Sequence, residues 1–158
     1  MNFLDRIFKR GLSQMECPRC FGKGHVDWDD IKRLNQELKW IPGSCAYCNG
    51  TGKVDSKMET KVAVDATYLV NNLSEIERRL FINGNPDALE RAAHYEKYLE
   101  DLIEQVLYLH FKGRLGAEQI AEFFLLSQTH SDSYEGQKVD LIDYINRIIV
   151  KGESQWRM

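Results

Sequence analysis

The chain has 158 residues, of which 43% are hydrophobic and 28% are charged, and its formal net charge is -3 at pH 7. That length is enough for one compact domain or for a small module followed by a helical domain. The mildly acidic balance argues against non-specific coating of nucleic acid, which needs clustered lysine and arginine, and no apolar run approaches the ~20 residues that span a bilayer.

The first predicted element is an amphipathic helix within residues 1–15, where Phe3, Leu4, Ile7 and Phe8 fall on one face. We expect this helix to pack on the rest of the protein. The alternative is a helix that docks on a membrane surface or on a partner. Charged residues interrupt the apolar stretch, which is too short for a signal peptide. The sequence therefore predicts a cytoplasmic protein.

An internal repeat follows this element. Residues 17–27 are CPRCFGKGHVD and residues 45–55 are CAYCNGTGKVD, so the second copy starts 28 residues after the first (45 − 17 = 28). The copies share both cysteines, both glycines, the valine and the aspartate. All four cysteines of the chain lie in these CxxC pairs, which in a reducing compartment favours metal or redox chemistry over structural disulfides.

The two CxxC pairs predict one structural zinc ion held by four thiolates. Zinc prefers cysteine sulfur in a tetrahedron with Zn–S near ~2.3 Å, and a closed four-sulfur site leaves no position for water. The 24 residues between the pairs (45 − 20 − 1 = 24) exceed the spacing of the commonest zinc ribbons, but loop length affects closure only logarithmically. The predicted metal ligands are Cys17, Cys20, Cys45 and Cys48.

The residues around the cysteines support this prediction. Glycine tolerates positive φ, which lets the chain turn so that backbone N–H groups point at sulfur. Four thiolates around a dication leave a net negative charge, which nearby Arg19, Lys23 and Lys53 can offset together with those N–H donors. The glycines in question are Gly22, Gly24, Gly50 and Gly52.

Three alternatives remain open at the cysteines. The first is that the four cysteines are unpaired thiols whose spacing is a coincidence. A redox CxxC is a second possibility, although such motifs follow a strand at a helix N-terminus, a context that neither copy has. His25 is a third, because it can compete as a zinc ligand, but four cysteines already complete a site.

Between the two copies, the sequence predicts a helix of about three turns that starts after Asp27 or Asp29 and ends at Pro42-Gly43. Trp28 and Trp40 lie twelve residues apart, which is about 120° around a helix. We therefore expect one tryptophan to pack inside and the other to be partly exposed. The apolar positions at helical spacing are Trp28, Ile31, Leu34, Leu38 and Ile41.

Past Gly52 the chain is predicted to be extended, with Val62 and Val64 alternating, and to be helical from Asp65 onward. Four helices are predicted there, separated by Asn83-Gly84, by Gly113 and by a polar loop over residues 127–136. The second of them opens at Asn85-Pro86, an N-cap followed by proline in the first helical position. Their apolar faces are marked by Leu69 to Leu80, Leu89 to Leu109, Ile120 to Leu125 and Val139 to Ile149.

The predicted fold class is therefore mostly α. A small four-cysteine zinc-knuckle module is followed by an antiparallel helical bundle of about four helices. The predicted domains are an N-terminal amphipathic helix over residues 1–15, a zinc-binding module with an inserted helix over residues 16–60, and a helical bundle domain over residues 61–158.

The CxxCxGxG pattern, present as CPRCFGKG at residues 17–24 and as CAYCNGTG at residues 45–52, resembles the repeat of the DnaJ-type cysteine-rich zinc finger. The resemblance covers about 40 of the 158 residues and implies that the four cysteines are zinc ligands. It also implies a role in protein binding.

The chain departs from that family in several ways. DnaJ-family co-chaperones carry four repeats and two zinc ions, whereas this chain has two repeats and hence one predicted site. It contains no His-Pro-Asp tripeptide, so no J-domain is expected, and it has no Gly/Phe-rich linker. Its C-terminal half is predicted to be helical instead of forming β-sandwich substrate domains.

No catalytic constellation is recognisable, so we expect the protein not to be an enzyme. A P-loop is absent from the sequence, and no spacing of acidic residues indicates a paired-carboxylate catalyst. His94, His110 and His130 are expected to be structural or solvated. Residues 119–127 faintly resemble the first helix of a helix-turn-helix, but the turn glycine is missing and the following loop is too long.

The sequence thus predicts a zinc-binding, non-catalytic protein-interaction or chaperone-like protein, with unfolded client proteins among its candidate partners. The alternative is a nucleic-acid-linked regulatory zinc protein, because small CxxC modules also occur there and the N-terminal segment is basic. A continuous positive face would favour the alternative, and an apolar groove would favour protein binding. That face would comprise Arg6, Lys9, Arg10, Arg19 and Lys23.

Overall fold

A computed structural model describes residues 14–126 and 134–156, and this part of the chain is mostly α-helical, as predicted. It has six helices and four short strands. In chain order these are β1 (Gln14–Glu16), β2 (His25–Val26), α1 (Trp28–Arg33), β3 (Gly43–Ser44), β4 (Lys53–Asp55), α2 (Met58–Lys61), α3 (Glu75–Ile82), α4 (Pro86–Phe111), α5 (Ala117–Leu125) and α6 (Tyr134–Trp156). Most of the helix predicted within residues 1–15 falls on residues 1–13, which lie outside the described residues. Its last two residues, Gln14 and Met15, belong to β1.

The strands form two antiparallel ribbons that are nested in the sequence. The outer ribbon pairs β1 with β4, with Met15 opposite Val54. The inner ribbon pairs β2 with β3, with Val26 opposite Gly43. The first cysteine turn (residues 17–24) therefore lies between β1 and β2, and the second cysteine turn (residues 45–52) lies between β3 and β4. This pairing sets the two turns side by side.

Helix α1 is shorter than predicted. The Asp27 side chain accepts a hydrogen bond from the Asp30 N–H, and the Asp30 carboxylate accepts one from the Asp27 N–H, which fixes the start of the helix. The helix ends at Arg33 because Asn35 adopts a left-handed conformation, with φ 60°. The prediction of a helix as far as Ile41 was therefore wrong.

The tryptophan prediction is confirmed despite the shorter helix. Trp40 lies beyond α1 and is only 5% exposed, whereas Trp28 is 43% exposed. The indole N–H of Trp40 donates a hydrogen bond to the Thr67 carbonyl at 3.2 Å. The buried tryptophan thus packs against the segment that follows α2.

That segment, residues 62–73, is not helical, which corrects the prediction of a helix from Asp65. Helix α3 begins only at Glu75, where the Ser74 side chain caps the helix by accepting from the Glu77 N–H. Leu69, predicted on a helix face, is instead fully buried beside the cysteines. The extended segment predicted past Gly52 is likewise interrupted, because α2 follows β4.

The four predicted C-terminal helices are present as α3, α4, α5 and α6. Helix α3 ends at Ile82, and it is followed by its C-cap, Asn83, and by Gly84 with φ 76°. The Asn85 side chain then accepts from the Ala88 N–H, so α4 opens with the predicted N-cap and proline. Helix α6 begins inside the predicted polar loop, of which residues 127–133 lie outside the described residues. Their packing as an antiparallel bundle stays a prediction.

The chain divides into two compact units, one ending at Glu96 and the other beginning at Lys97. The first unit contains both cysteine turns. In the second, α5 contacts α6, and its buried side chains include Ile120, Leu125, Ile145 and Ile148. No helix among the described residues is long and apolar enough to cross a membrane. The predicted three-segment domain division stays a prediction.

Candidate metal centre

The structure brings the four cysteine sulfurs into one buried cluster. All four Sγ atoms of Cys17, Cys20, Cys45 and Cys48 lie within 4.8 Å of one another. The Sγ atoms of Cys17 and Cys45 are 3.8 Å apart, and those of Cys20 and Cys48 are 3.7 Å apart. A tetrahedron with Zn–S near ~2.3 Å has edges of about 3.8 Å. These spacings therefore fit one ion bound by four thiolates.

The two cysteine turns repeat each other's backbone conformation. Phe21 and Asn49 adopt φ 53° and φ 55°, and in each turn the two glycines that follow also have positive φ. This geometry directs the Gly24 N–H at the Cys20 sulfur (3.3 Å) and the Gly52 N–H at the Cys48 sulfur (3.2 Å). The prediction of N–H donors aimed at sulfur is thus confirmed. The positive φ of the phenylalanine and asparagine was not predicted.

Two of these glycines also form the contact between the turns. A Cβ atom on Gly24 would overlap the Gly50 carbonyl oxygen, and one on Gly52 would overlap the Gly22 carbonyl oxygen. The backbones of the turns therefore meet at a distance that only glycine permits. This close approach holds the two pairs of sulfurs at a common centre.

Two of the four cysteines have thiols whose pKa is raised by their surroundings. The hydrogen bond with Cys17, followed by burial, raises the pKa of the Cys45 thiol well above its usual range, and burial raises the pKa of Cys20. A dication bound by these sulfurs must displace the protons, because the thiolate is the ligand. Four soft, buried donors suit zinc better than the hard cations that prefer oxygen.

Arg19 has a role that sequence analysis missed. Its guanidinium, 2% exposed, donates from Nε to the Val64 carbonyl (2.9 Å), from Nη1 to the Leu69 carbonyl (2.6 Å) and from Nη2 to the Ala66 carbonyl (3.1 Å). It also lies 4.0 Å from the centroid of the Trp40 ring. Arg19 therefore fixes the non-helical segment after α2 against the first cysteine turn.

The charge of Arg19 still acts on the cysteines. Burial lowers the pKa of Arg19 to about 10, whereas the negative charges of Cys45 and Cys17 raise it. The group thus stays protonated at neutral pH and offsets thiolate charge nearby. Nothing in the sequence indicates the three carbonyl acceptors, since they lie 45 to 50 residues further along the chain.

The two predicted basic neighbours Lys23 and Lys53 have other environments. The Lys23 ammonium lies 2.7 Å from a carboxylate oxygen of Asp27 and 2.7 Å from one of Asp30. The hydrogen bond to Asp27, and then the one to Asp30, hold the pKa of Lys23 above its usual range. Lys53 is exposed on β4. The charge of Lys23 is thus directed at the start of α1.

Hydrogen bonds join the second cysteine turn to residues outside the repeat. Arg78 of α3 donates to the Ala46 carbonyl at 2.7 Å and to the Tyr47 carbonyl at 3.0 Å. The Tyr47 hydroxyl donates to the Val62 carbonyl at 2.8 Å. The surrounding core of this unit consists of Val26, Tyr47, Val54, Met58, Val62, Leu69 and the four cysteines.

The histidines considered in the sequence do not join the cysteines. Among the described residues, the four cysteines form the group of metal-binding side chains, and His25 lies exposed on β2. His94 is exposed with its Nε2 3.7 Å from Glu90, and the His110 ring lies 2.8 Å from the Leu115 carbonyl. His130 lies outside the described residues.

Comparison with known proteins gives no relative for this chain: no protein-family model, no curated protein and no solved structure matches it. The resemblance to the DnaJ-type zinc finger therefore stays a prediction that rests on the two CxxCxGxG copies. The geometry of the four cysteines is independent of that resemblance.

Proposed function

We propose that this protein is a non-catalytic zinc protein whose first unit binds other proteins in a chaperone-like, DnaJ-related role. The observation that carries the metal proposal is the cluster of four buried sulfurs at tetrahedral spacing. Cys17, Cys20, Cys45 and Cys48 would hold one structural Zn²⁺. Because four sulfurs complete the coordination of zinc, no position remains for a substrate or a water.

Elemental analysis of protein purified without chelator tests the metal directly. The proposal requires a zinc-to-chain ratio near one. A ratio near two, or iron in place of zinc, would contradict it. Protein refolded without metal should regain the fold of the cysteine turns when zinc is added, because zinc binding and folding of such sites are coupled.

Protein binding is supported by exposed apolar side chains around the cysteine turns. Phe21, at the first cysteine turn, is 55% exposed, and Trp28 and Ile41 are also exposed at either side of the inserted segment. The Arg33 guanidinium lies 4.0 Å from the Phe21 ring centroid. Exposed aromatic residues beside arginine are frequent anchors in protein interfaces.

Capture of a chemically denatured reporter protein tests this part. Trp28→Ala should retain zinc and stability but lose suppression of reporter aggregation, measured by light scattering. Phe123→Ala is the matched control, since Phe123 is similarly exposed on α5 in the second unit, and it should suppress aggregation normally. Equal behaviour of the two variants, or loss of zinc from Trp28→Ala, would refute the role of Trp28.

The nucleic-acid alternative receives no support from the described residues. Two of the five basic residues on which it rested have internal partners, because Arg19 is buried and Lys23 pairs with Asp27 and Asp30. The other three, at positions 6, 9 and 10, lie outside the described residues. We therefore retain protein binding, in the cytoplasm, as the proposed function.

A further inference from the structure

A cavity of about 210 Å³ lies in the first unit beside the cysteine turns. Its apolar walls include Trp40, Leu69 and Val70, of which Leu69 is fully buried. Arg19 and Ala46 also line it. Arg19 is the third residue of the first CxxC pair, and Ala46 is the second residue of the other pair. The cavity is thus built directly on the proposed metal centre.

The walls of this cavity are fixed before any ligand arrives. Arg19 holds the segment that contains Leu69 through three carbonyl groups. Trp40 is bonded to the Thr67 carbonyl, and Arg78 donates to the Ala46 carbonyl. A cavity with walls held in this way needs little reorganisation on binding, which favours affinity.

Several polar side chains line the cavity, and Lys39, Asn71 and Tyr95 are three of those with donors to offer. Among residues 14–126 and 134–156, the Lys39 ammonium makes no ion pair, and the Asn71 amide and the Tyr95 hydroxyl make no hydrogen bond. The Tyr95 ring is positioned by the Tyr68 ring, with centroids 5.7 Å apart. An ammonium, an amide and a hydroxyl together favour a ligand group that is anionic and accepts several hydrogen bonds.

The volume limits the size of the ligand. Cavities that enclose cofactors and drug-sized molecules measure roughly 300–1,000 Å³, so this one is suited to a single amino-acid residue. An internal aspartate or glutamate would supply charge but place no apolar side chain against Trp40 and Val70. An internal leucine would fill the walls but leave Lys39 without an anion. An apolar residue at the C-terminus of a chain carries both an apolar side chain and a carboxylate.

We propose that this cavity binds the C-terminal residue of a partner protein, with its apolar side chain against Trp40 and the half-buried Val70 and its carboxylate at Lys39. Capture of a chain terminus by converging donors is a known mode of peptide recognition. The inference rests on the proposed protein-binding function and specifies the part of the partner that is recognised. It involves a surface separate from Trp28 and Phe21.

The test uses the zinc-loaded full chain and a pentapeptide, Gly-Gly-Ser-Gly-Leu, with binding measured by calorimetry. The free acid should bind, whereas the same peptide with a C-terminal amide, or with glycine as its last residue, should bind about tenfold more weakly or not at all. Lys39→Gln should weaken binding of the free acid about tenfold. Lys32→Gln, at an exposed lysine of α1 outside the cavity, is the matched control and should bind normally.

Equal binding of acid and amide, equal effects of the two lysine variants, or no binding of the free acid would each overturn the proposal. Zinc content of Lys39→Gln, measured alongside, guards against a folding defect, and loss of zinc would show that Lys39 is structural and also overturn it. If the peptide does not bind but the protein still captures the denatured reporter, the proposal for this cavity is rejected and the proposed chaperone-like function is not. Peptide binding without reporter capture would support the cavity and reject the chaperone-like function.

Discussion

Replacement of Arg19 by lysine tests whether this side chain holds the segment after α2 on the metal-binding unit. Lysine keeps the charge but ends in a single ammonium, so it cannot reproduce the planar donor set of the guanidinium. We expect it to lose two of the three bonds to the carbonyl groups of Val64, Ala66 and Leu69. A hydrogen bond to a charged group contributes about 1.5–3 kcal/mol, so two are worth about 3–6 kcal/mol.

A domain is typically stable by only about 5–15 kcal/mol. A loss of even ~3 kcal/mol is therefore a large share of the free energy of unfolding and is easy to detect. The loss would be measured by urea unfolding of the zinc-loaded chain, with the fluorescence of Trp40 as the signal. The other two tryptophans would be replaced by phenylalanine so that only Trp40 contributes. Trp40 is a suitable probe because it contacts the Arg19 guanidinium.

Arg79→Lys is the matched control. Arg79 is 73% exposed and pairs with Glu75 one helical turn away, so its replacement should change the free energy of unfolding by less than ~0.5 kcal/mol. If Arg19→Lys retains zinc and unfolds within about 1 kcal/mol of this control, a difference too small for even one charged hydrogen bond, the carbonyl bonds are not what holds the segment.

Three further predictions concern the metal centre. Cys45→Ser should abolish zinc binding and disorder both cysteine turns, while circular dichroism retains the signal of the helices beyond α2. Zinc affinity, measured by chelator competition, should fall as pH is lowered, because the raised pKa values of Cys45 and Cys20 make protons stronger competitors for sulfur; a flat profile between pH 6 and 8 would contradict this. Gly24→Ala should lower the free energy of unfolding more than Gly84→Ala. Both positions have positive φ, which costs alanine about 1–2 kcal/mol. Only an alanine at position 24 would also force the Gly50 carbonyl to move. Equal urea midpoints for the two variants would show that the close approach between the turns is not rigid.

The features that sequence analysis predicted correctly are those encoded over short distances. The cysteine cluster follows from a repeat in which spacing, glycines and ligands agree. Helix α4 follows from Asn85 and Pro86 at its start and from apolar residues at helical spacing. In each case the residues that determine the local structure are neighbours in the chain.

The features that were missed depend on contacts between distant residues. Leu69 and Leu73 have the spacing of a helix, yet the carbonyl groups before and at Leu69 are satisfied by Arg19, some fifty residues earlier. Helix α1 ends early because Asn35 has a left-handed backbone conformation, and the apolar pattern around Asn35 does not predict that conformation. The cavity beside Trp40 could not be predicted because its polar side chains come from separate segments.

The nesting of the two ribbons has a consequence for the order in which the chain folds. The inner ribbon joins Val26 to Gly43, a separation of 17 residues (43 − 26 = 17), whereas the outer ribbon joins Glu16 to Lys53, a separation of 37 (53 − 16 = 37). Closing the longer loop first costs about 0.7 kcal/mol more entropy, because each doubling of loop length adds ~0.6 kcal/mol. Once the inner ribbon has formed, only the two cysteine turns separate the outer strands. We therefore expect the inner ribbon to form first and the outer ribbon to close over it, with the four sulfurs gathered in between.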